Sequence, residues 1–366
     1  MHSDSDMNLE GDEVLKAFQQ AKELNLCPNR IWAVAGESLP KLLPKVNLAP
    51  VVKDKNGKND KFYAHDECTS DFCEYSQRDF TAVQQRHECS DKKHCRQLQD
   101  MFPRDKLTEA ALAENGNSTT AWSLKGDSIL GPRRQYMAIS HVWGDGTGTG
   151  AWKDGEVNEC LYEFFRNIAQ QFECEGIWWD TICIPRPKAA RNKAIQKIQS
   201  SYEDARITLV HDCFLRSWTW DPETACFAIL MSPWFSRGWT ALELAKSRKV
   251  KVMFKGPCGP IIKDLDEDIL TKYEELLAKD GKPESPREEA SQIIWHLRKD
   301  IKTLNHLLTV LGQRHTSWPK DIATISALLV GVVPKERQQD TYKSILREFG
   351  YLAPGHLFHN STTMSK

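Results

Sequence analysis

Between residues 65 and 95 the chain sets out His65-x2-Cys68-x4-Cys73-x13-His87-x-Cys89-x4-His94-Cys95. Thiols and imidazoles in closely spaced pairs are the donor set of a tetrahedral zinc ion, because short loops close such a site at low entropic cost. The candidate ligands of one structural zinc are Cys68, Cys73, Cys89 and Cys95, or a set that includes His87. The spacing is not that of a standard zinc finger, and the alternative is a polar surface segment with free thiols. No HExxH-type motif accompanies the cluster, so catalytic zinc is not expected.

A second group of reactive side chains is spread between residues 140 and 243. Gly144-Asp-Gly-Thr-Gly-Thr-Gly150 follows an apolar run and precedes an amphipathic one. Backbone N–H groups at such a turn can receive a phosphate. The pattern is neither Gly-x-Gly-x-x-Gly nor a P-loop, and a plain surface loop is the alternative. Asp145 within it can reach a ribose or cap the next helix. Asp180 sits in the apolar run 176–184, where a buried carboxylate must find a partner. Ser140, His141 or a loop amide would supply one. Trp143, Trp179 and Trp239 offer planar faces to a ring, or fill the core. Arg237 can pair with a diphosphate, or with Glu243 or Asp180. Cys183 near His141 or His211 would suggest a thiol nucleophile, but a cysteine in an apolar strand reads as inert packing.

The elements that must hold these residues follow from periodicity. Tyr136 to Trp143 reads as a strand. Val157, Cys160, Leu161, Phe164, Phe165, Ile168, Ala169 and Phe172 have helical spacing. Residues 176–184 read as a strand, 194–205 as a helix, 206–211 as a strand, 233–247 as a helix and 250–254 as a strand. Alternation of near-continuous apolar strands with helices predicts an α/β fold whose parallel sheet is flanked by helices on both faces. Ligands of such sheets bind beyond the carboxyl ends of the strands. The loops there are 144–150, 185–187 and the segment after His211, with the 233–247 helix nearby.

Around this unit, residues 12–26 read as an amphipathic helix, 53–60 as a charged loop, 80–86 as a short helix-like stretch and 114–131 as a linker. Beyond residue 260 the pattern is helical, with Ile293, Leu297, Ile301, Leu304, Leu308 and Leu311 on one stripe and a start signal at Ser317-Trp318-Pro319. Three regions are therefore expected: a Cys/His-rich N-terminal region over 1–125, the α/β domain over 126–260 and a helical C-terminal region over 261–366.

Composition narrows the function. Apolar residues make up 40% and charged residues 27% of 366, a globular balance. Net charge is −1, so no global field draws the chain to nucleic acid or an anionic membrane. Asp66, Glu67, Asp71 and Glu74 run through the Cys/His segment and argue against nucleic acid there too. The longest apolar run, Ile325 to Val333, is too short for a membrane span. Eleven cysteines, an odd number, and a polar N-terminus without a signal-peptide core point to a reducing, cytoplasmic setting. Six of the twelve tryptophans fall between Trp178 and Trp239, which predicts a dense aromatic core or pocket. The chain ends at His356-Leu-Phe-His359-Asn-Ser without an obvious finishing element, which leaves room for a longer parent protein.

Four segments resemble the HET, or heterokaryon-incompatibility, family in that family's order. Tyr136-Met-Ala-Ile-Ser140-His-Val-Trp143-Gly144-Asp145 resembles its strand-then-Trp-Gly opening. Ile177-Trp178-Trp179-Asp180-Thr-Ile-Cys183-Ile184 is similar to its Trp-x-Asp-x-x-Cys-Ile block. Tyr202-Glu-Asp-Ala205 runs into strand 206–211 as the third does. Ser232-Pro-Trp234-Phe235-Ser236-Arg237-Gly-Trp239-Thr-Ala-Leu-Glu243-Leu244 resembles its Trp-Phe-x-Arg-x-Trp-Thr-x-x-Glu block. Pro185-Arg186-Pro187 stands where the family usually has a Gln, so no role of that Gln is carried over.

The resemblance implies a fungal effector of heterokaryon incompatibility and regulated cell death, with a TIR-like (flavodoxin-like) fold. Ser232, Phe235, Ser236, Gly238, Trp239 and Glu243 fall along the TIR pattern Ser-x-x-Tyr-x-x-Ser-x-Trp-Cys-x-x-Glu. In NAD-cleaving TIR domains its last Glu is catalytic, and that role would fall on Glu243. NAD, as substrate, or a related nucleotide would then be held by Ser140, His141, Trp143, Gly144, Asp145, Asp180, Arg237 and Trp239. The alternatives are a non-catalytic module that self-associates or binds a protein partner through the HET domain, and a HET-like enzyme acting on another small molecule.

Overall fold

The computed structural model describes residues 26–35, 68–69, 72–74, 83–98, 101–113, 119–148, 157–278, 284–312 and 314–351, with Lys16 and Gln19. The helix expected over 12–26 and the charged loop expected over 53–60 lie almost wholly outside them. In chain order come α1 (Pro28–Ala35), α2 (Arg104–Leu112), β1 (Trp122–Ser123), β2 (Tyr136–His141), α3 (Glu159–Gln171), β3 (Gly176–Trp178), α4 (Asp180–Cys183), α5 (Lys188–Gln196) and α6 (Ile198–Glu203). Then follow β4 (Ile207–His211), α7 (Cys213–Ser217), α8 (Ala225–Met231), α9 (Gly238–Lys246), β5 (Val250–Gly256) and β6 (Gly259–Asp264). Among the described residues a π-helical turn (Leu265–Ile269) and five α-helices follow: α10 (Tyr273–Ala278), α11 (Pro286–Arg298), α12 (Leu304–Leu311), α13 (Pro319–Leu329) and α14 (Gln338–Glu348).

The six strands form one sheet in the order β1-β3-β2-β4-β5-β6. The central four are parallel, with Met137 beside Ile177 and Ile207, and Leu209 beside Lys251. Every residue of β2, β3 and β4 is buried, as strands covered on both faces must be. Helix α3 covers the sheet with Leu161, Tyr162, Phe165, Ile168 and Ala169, the stripe that its spacing predicts. No described helix is long and apolar enough to cross a membrane.

The sheet corrects the expectation of an all-parallel arrangement, because both edges are antiparallel. β1 pairs with β3, and β6 returns along β5 through a two-residue turn, with Gly259 at φ +134°. β1 lies within the stretch read as a linker. Its Trp122 is fully buried and donates from Nε1 to the Ile182 carbonyl at 2.9 Å. β6 likewise opens a region whose pattern reads as helical. Residues 83–86, in the stretch read as helix-like, are not helical.

The strand expected over 176–184 stops at Trp178. Its apolar run continues into the one-turn helix α4, so Asp180 opens a helix and Cys183 ends one. Apolar residues without a period fit either element, and only the tertiary setting chooses. The helix expected over 194–205 is split into α5 and α6 at Lys197. Helix α8 is all buried and carries no amphipathic signal to betray it.

The C-terminal helices pack onto the sheet domain through α8 and α9. Residues 314–318 run along the entry to α9: Gly238 N–H donates to the His315 carbonyl and His315 N–H to the Ser236 carbonyl, both at 2.9 Å. A Cβ on Gly238 would stand 2.8 Å from Thr316 Cγ2, so this close approach requires glycine.

Candidate functional site

The carboxyl end of β2 brings two clusters together. Successive strand residues point to opposite faces. Ser140 therefore turns toward α9 and His141 toward α4.

On the α9 side, Ser140 Oγ donates to Glu243 Oε2 and accepts from Trp234 Nε1 at 2.6 Å. Glu243 is only 7% exposed, on a helix that also buries Ala241, Leu242 and Leu244. Burial pushes its carboxyl up to about 7, against the Ser140 hydrogen bond and the nearby His141 charge, which favour the ionised form. It is neither a solvated helix residue nor a partner of Lys246, which pairs with Glu203 at 3.4 Å. Trp234 enters the site although only its part in the family motif, and no role, could be read from sequence.

On the α4 side, His141 Nε2 meets Asp180 Oδ1 at 2.7 Å. Asp180 also accepts from Trp143 Nε1 and from the Thr181 backbone N–H, both at 2.6 Å. Burial works against the imidazolium, but the Asp180 charge and hydrogen bond prevail and raise His141 to about 9. Burial likewise works against the Asp180 carboxylate, but His141, together with Trp143 and Thr181, holds it low. The pair is thus charged at neutral pH. Trp179 Nε1 lies 3.2 Å from the same imidazole nitrogen, and His141 Nδ1 has no hydrogen-bond partner among the described residues.

The loop after β2 folds over this end of the sheet. Trp143–Asp145 form a 3-10 turn that Gly146 closes at φ +86°. Asp145 is buried and accepts from Thr147 N–H at 2.9 Å and from Cys213 N–H, at the start of α7, at 3.1 Å. Its carboxylate therefore takes the first N–H of α7, beside the N-cap Asp212, which accepts from Leu215 N–H. Thr147 Oγ1 meets His211 Nδ1 at 2.9 Å, and Arg216 contacts His211 Nε2 at 2.9 Å. Burial and the Arg216 charge hold His211 well below its ordinary value, so it is neutral. Asp212 is pushed up to about 7 by burial and by Asp145. Two amides of the loop are already committed, Gly146 N–H to the Trp143 carbonyl and Thr147 N–H to Asp145.

Gly148 packs against the rings of Trp143 and His141, and a Cβ there would stand 2.7 Å from Trp143 Nε1. Gly148→Ala is expected to cost about 1–3 kcal/mol through overpacking. Chemical denaturation would read this as a lower midpoint, and an unchanged midpoint would show that the loop yields freely.

Two residues expected at the site point elsewhere. Arg237 Nη2 donates to Ser317 Oγ at 2.6 Å, and Trp239 Nε1 donates to Asp321 Oδ2 at 2.9 Å. Both face the C-terminal segment. Cys183 is fully buried and its thiol is pushed far up by burial, which bears out inert packing.

The Cys/His-rich region resolves into two groups, not one. His87, Cys89, Cys95 and Cys160 have ligand atoms within 4.8 Å of one another, as do Cys27, Cys68 and Cys73. Either group could hold a metal ion. Quartets that mix Cys68 and Cys73 with Cys89 and Cys95 are therefore corrected: the two pairs belong to different clusters. His65 lies outside the described residues, and exposed His94 turns to Asp91 at 2.7 Å. Cys160 reads as one more apolar position of α3, and Cys27 stands far from the other cysteines in sequence. Neither carries a ligand signal of its own.

Residues 136–213, from the first residue of β2 to the first of α7, match the family model described as Heterokaryon incompatibility protein (HET). The match takes in Ser140, His141, Trp143, Asp145 and Asp180; Arg237, Trp239 and Glu243 lie beyond it. No curated protein and no solved structure matches the chain.

Proposed function

From the premise that the chain carries a HET domain, and with it a heterokaryon-incompatibility-related function, we propose that this domain cleaves NAD at the nicotinamide–ribose bond. The observation that carries this reading is the buried carboxylate of Glu243, set on Ser140 at the carboxyl end of β2 and within the field of His141. The four parallel strands run in the spatial order second, first, third, fourth, which supports a TIR-like, flavodoxin-like fold. In that order the ligand crevice lies where β2 and β4 part, beside Ser140 and the loop after it.

Nicotinamide leaves NAD as a neutral ring, taking the electrons of its bond to the ribose. The sugar becomes oxocarbenium-like, and water completes the reaction to ADP-ribose with release of a proton. A leaving group that is already cationic needs no acid. The site needs an ionised carboxylate at the ribose hydroxyls, as glycosidases use. Glu243 takes this role once substrate displaces its bond to Ser140. His141 Nδ1 is a buried donor that a ligand oxygen would satisfy. Zinc serves this fold as a structural ion in the Cys/His-rich region.

The 7% exposure of Glu243 favours a second reading, a non-catalytic module that self-associates or binds a protein partner. NAD consumption separates the two, with nicotinamide and ADP-ribose followed by chromatography for wild type and Glu243→Ala. Turnover that falls about 100- to 1000-fold in the variant supports cleavage. Absence of turnover by wild type, at high protein concentration and under crowding, overturns it and leaves the assembly module.

A further inference from the structure

The tetrad of His87, Cys89, Cys95 and Cys160 has a geometry that can be compared with a metal centre edge by edge. With Zn–S near 2.3 Å and Zn–N near 2.0 Å, a tetrahedral site has S–S edges of about 3.8 Å and S–N edges of about 3.5 Å. His87 Nδ1 stands 3.9 Å from Cys89 Sγ and 3.7 Å from Cys160 Sγ, and all four ligand atoms lie within 4.8 Å. Three thiols and one imidazole are a complete ligand set for structural zinc. Glu88 N–H donates to Cys160 Sγ at 3.1 Å, the kind of bond that supports a ligating thiolate. Cys160 sits in the first turn of α3, where the helix end favours negative charge.

We infer that these four residues bind a structural zinc ion that staples the N-terminal segment to the HET domain. Three ligands come from residues 87–95 and the fourth from α3, so the metal closes a loop of more than sixty residues between Cys95 and Cys160. Zn2+ displaces three thiol protons and meets the neutral imidazole, leaving one net negative charge at the centre.

The protein around the tetrad is arranged for this task. Leu98 N–H donates to the Val157 carbonyl at 2.8 Å and Glu159 N–H to the Arg96 carbonyl at 2.9 Å. Asn158 Nδ2 donates to the carbonyls of Gln85 and Arg86 at 3.2 and 2.9 Å. The stapled segment then reaches the candidate site. Arg86 N–H donates to the Gly146 carbonyl at 3.0 Å. Glu88, next to two ligands, takes both Nη atoms of Arg216 at 2.5 and 2.9 Å, and Arg216 touches His211. His211 holds Thr147 in the loop after β2. The zinc thus fixes the backing of that loop, and this inference stands whether or not the site cleaves NAD.

The test uses the full chain. Elemental analysis should find one equivalent less zinc in Cys160→Ala than in wild type, and full retention of zinc would overturn the assignment. Cobalt provides a readout that does not depend on losing a ligand. His87→Cys should keep the metal and shift the visible cobalt bands toward those of a four-sulfur site; an unchanged spectrum would overturn it. Cys68→Ala, in the other cluster, should leave the His87-dependent shift intact. Loss of that shift would refute two separate clusters.

Discussion

Replacing Asp180 with alanine is expected to lower the unfolding free energy by about 3–5 kcal/mol near neutral pH, the cost of breaking a buried pair by removing one partner. The side chain of His141 is 2% exposed and that of Asp180 19%, so water cannot take over the pairing. Alanine would also strand the Trp143 indole N–H and the Thr181 backbone N–H, both of which Asp180 accepts. The pH dependence identifies the mechanism. His141 is raised from its ordinary 6.5 to about 9, so its contribution is fully present below 6.5 and is lost as pH rises through about 9. Asp180 is held low, so its contribution is present above its ordinary 3.8 and fades only in stronger acid. The gap between wild type and variant should therefore be widest near pH 6 and shrink above pH 9. Urea unfolding at pH 6 and pH 10 measures it. An equal gap at both would mean that hydrogen bonding, not charge, carries the effect.

What the sequence reveals of this site depends on how local each signal is. Ser140, His141 and Trp143 are legible because they end an apolar strand at a glycine run. Asp180 is legible because a carboxylate in an apolar run needs a partner, even though the run turns from strand to helix at that residue. Cys160 is hidden by its own helix, where it fills an apolar slot and its ligand partners lie more than sixty residues earlier. The chain Glu88–Arg216–His211–Thr147 joins three distant segments and has no periodicity to expose it. Arg237 and Trp239 show the opposite error. They precede Glu243 in one motif, but the C-terminal segment runs beside the entry to α9, and Ser317 and Asp321 claim them. The antiparallel edges escaped for a related reason: two residues at β1 and a mixed-polarity β6 are too short or too exposed to stand out.

Glu243→Gln is expected to stabilise the fold while disabling the proposed chemistry. Folding raises the carboxyl from its ordinary 4.5 to about 7, so the native state binds this proton more tightly than the unfolded chain. Between those values the native state holds more protons, and stability falls as pH rises. Above pH 7 the ionised, buried carboxylate costs about 3 kcal/mol, by the conversion of about 1.4 kcal/mol per unit. Glutamine keeps the shape and can still accept from Ser140, but it has no charge to bury. The variant should match wild type near pH 4 and exceed it by up to about 3 kcal/mol at pH 8, as read by urea unfolding. Turnover should move the other way. The ribose cation needs the ionised form, so wild-type activity on NAD should climb through pH 7, and Glu243→Gln should lie about 100- to 1000-fold below it. A functional residue that costs the fold stability is a familiar bargain at active sites. If glutamine stabilises the protein but leaves NAD turnover intact, Glu243 is a structural acid and the catalytic carboxylate lies elsewhere. If glutamine stabilises nothing above pH 7, the carboxylate is better solvated than its burial implies, and the basis for placing the chemistry there is removed.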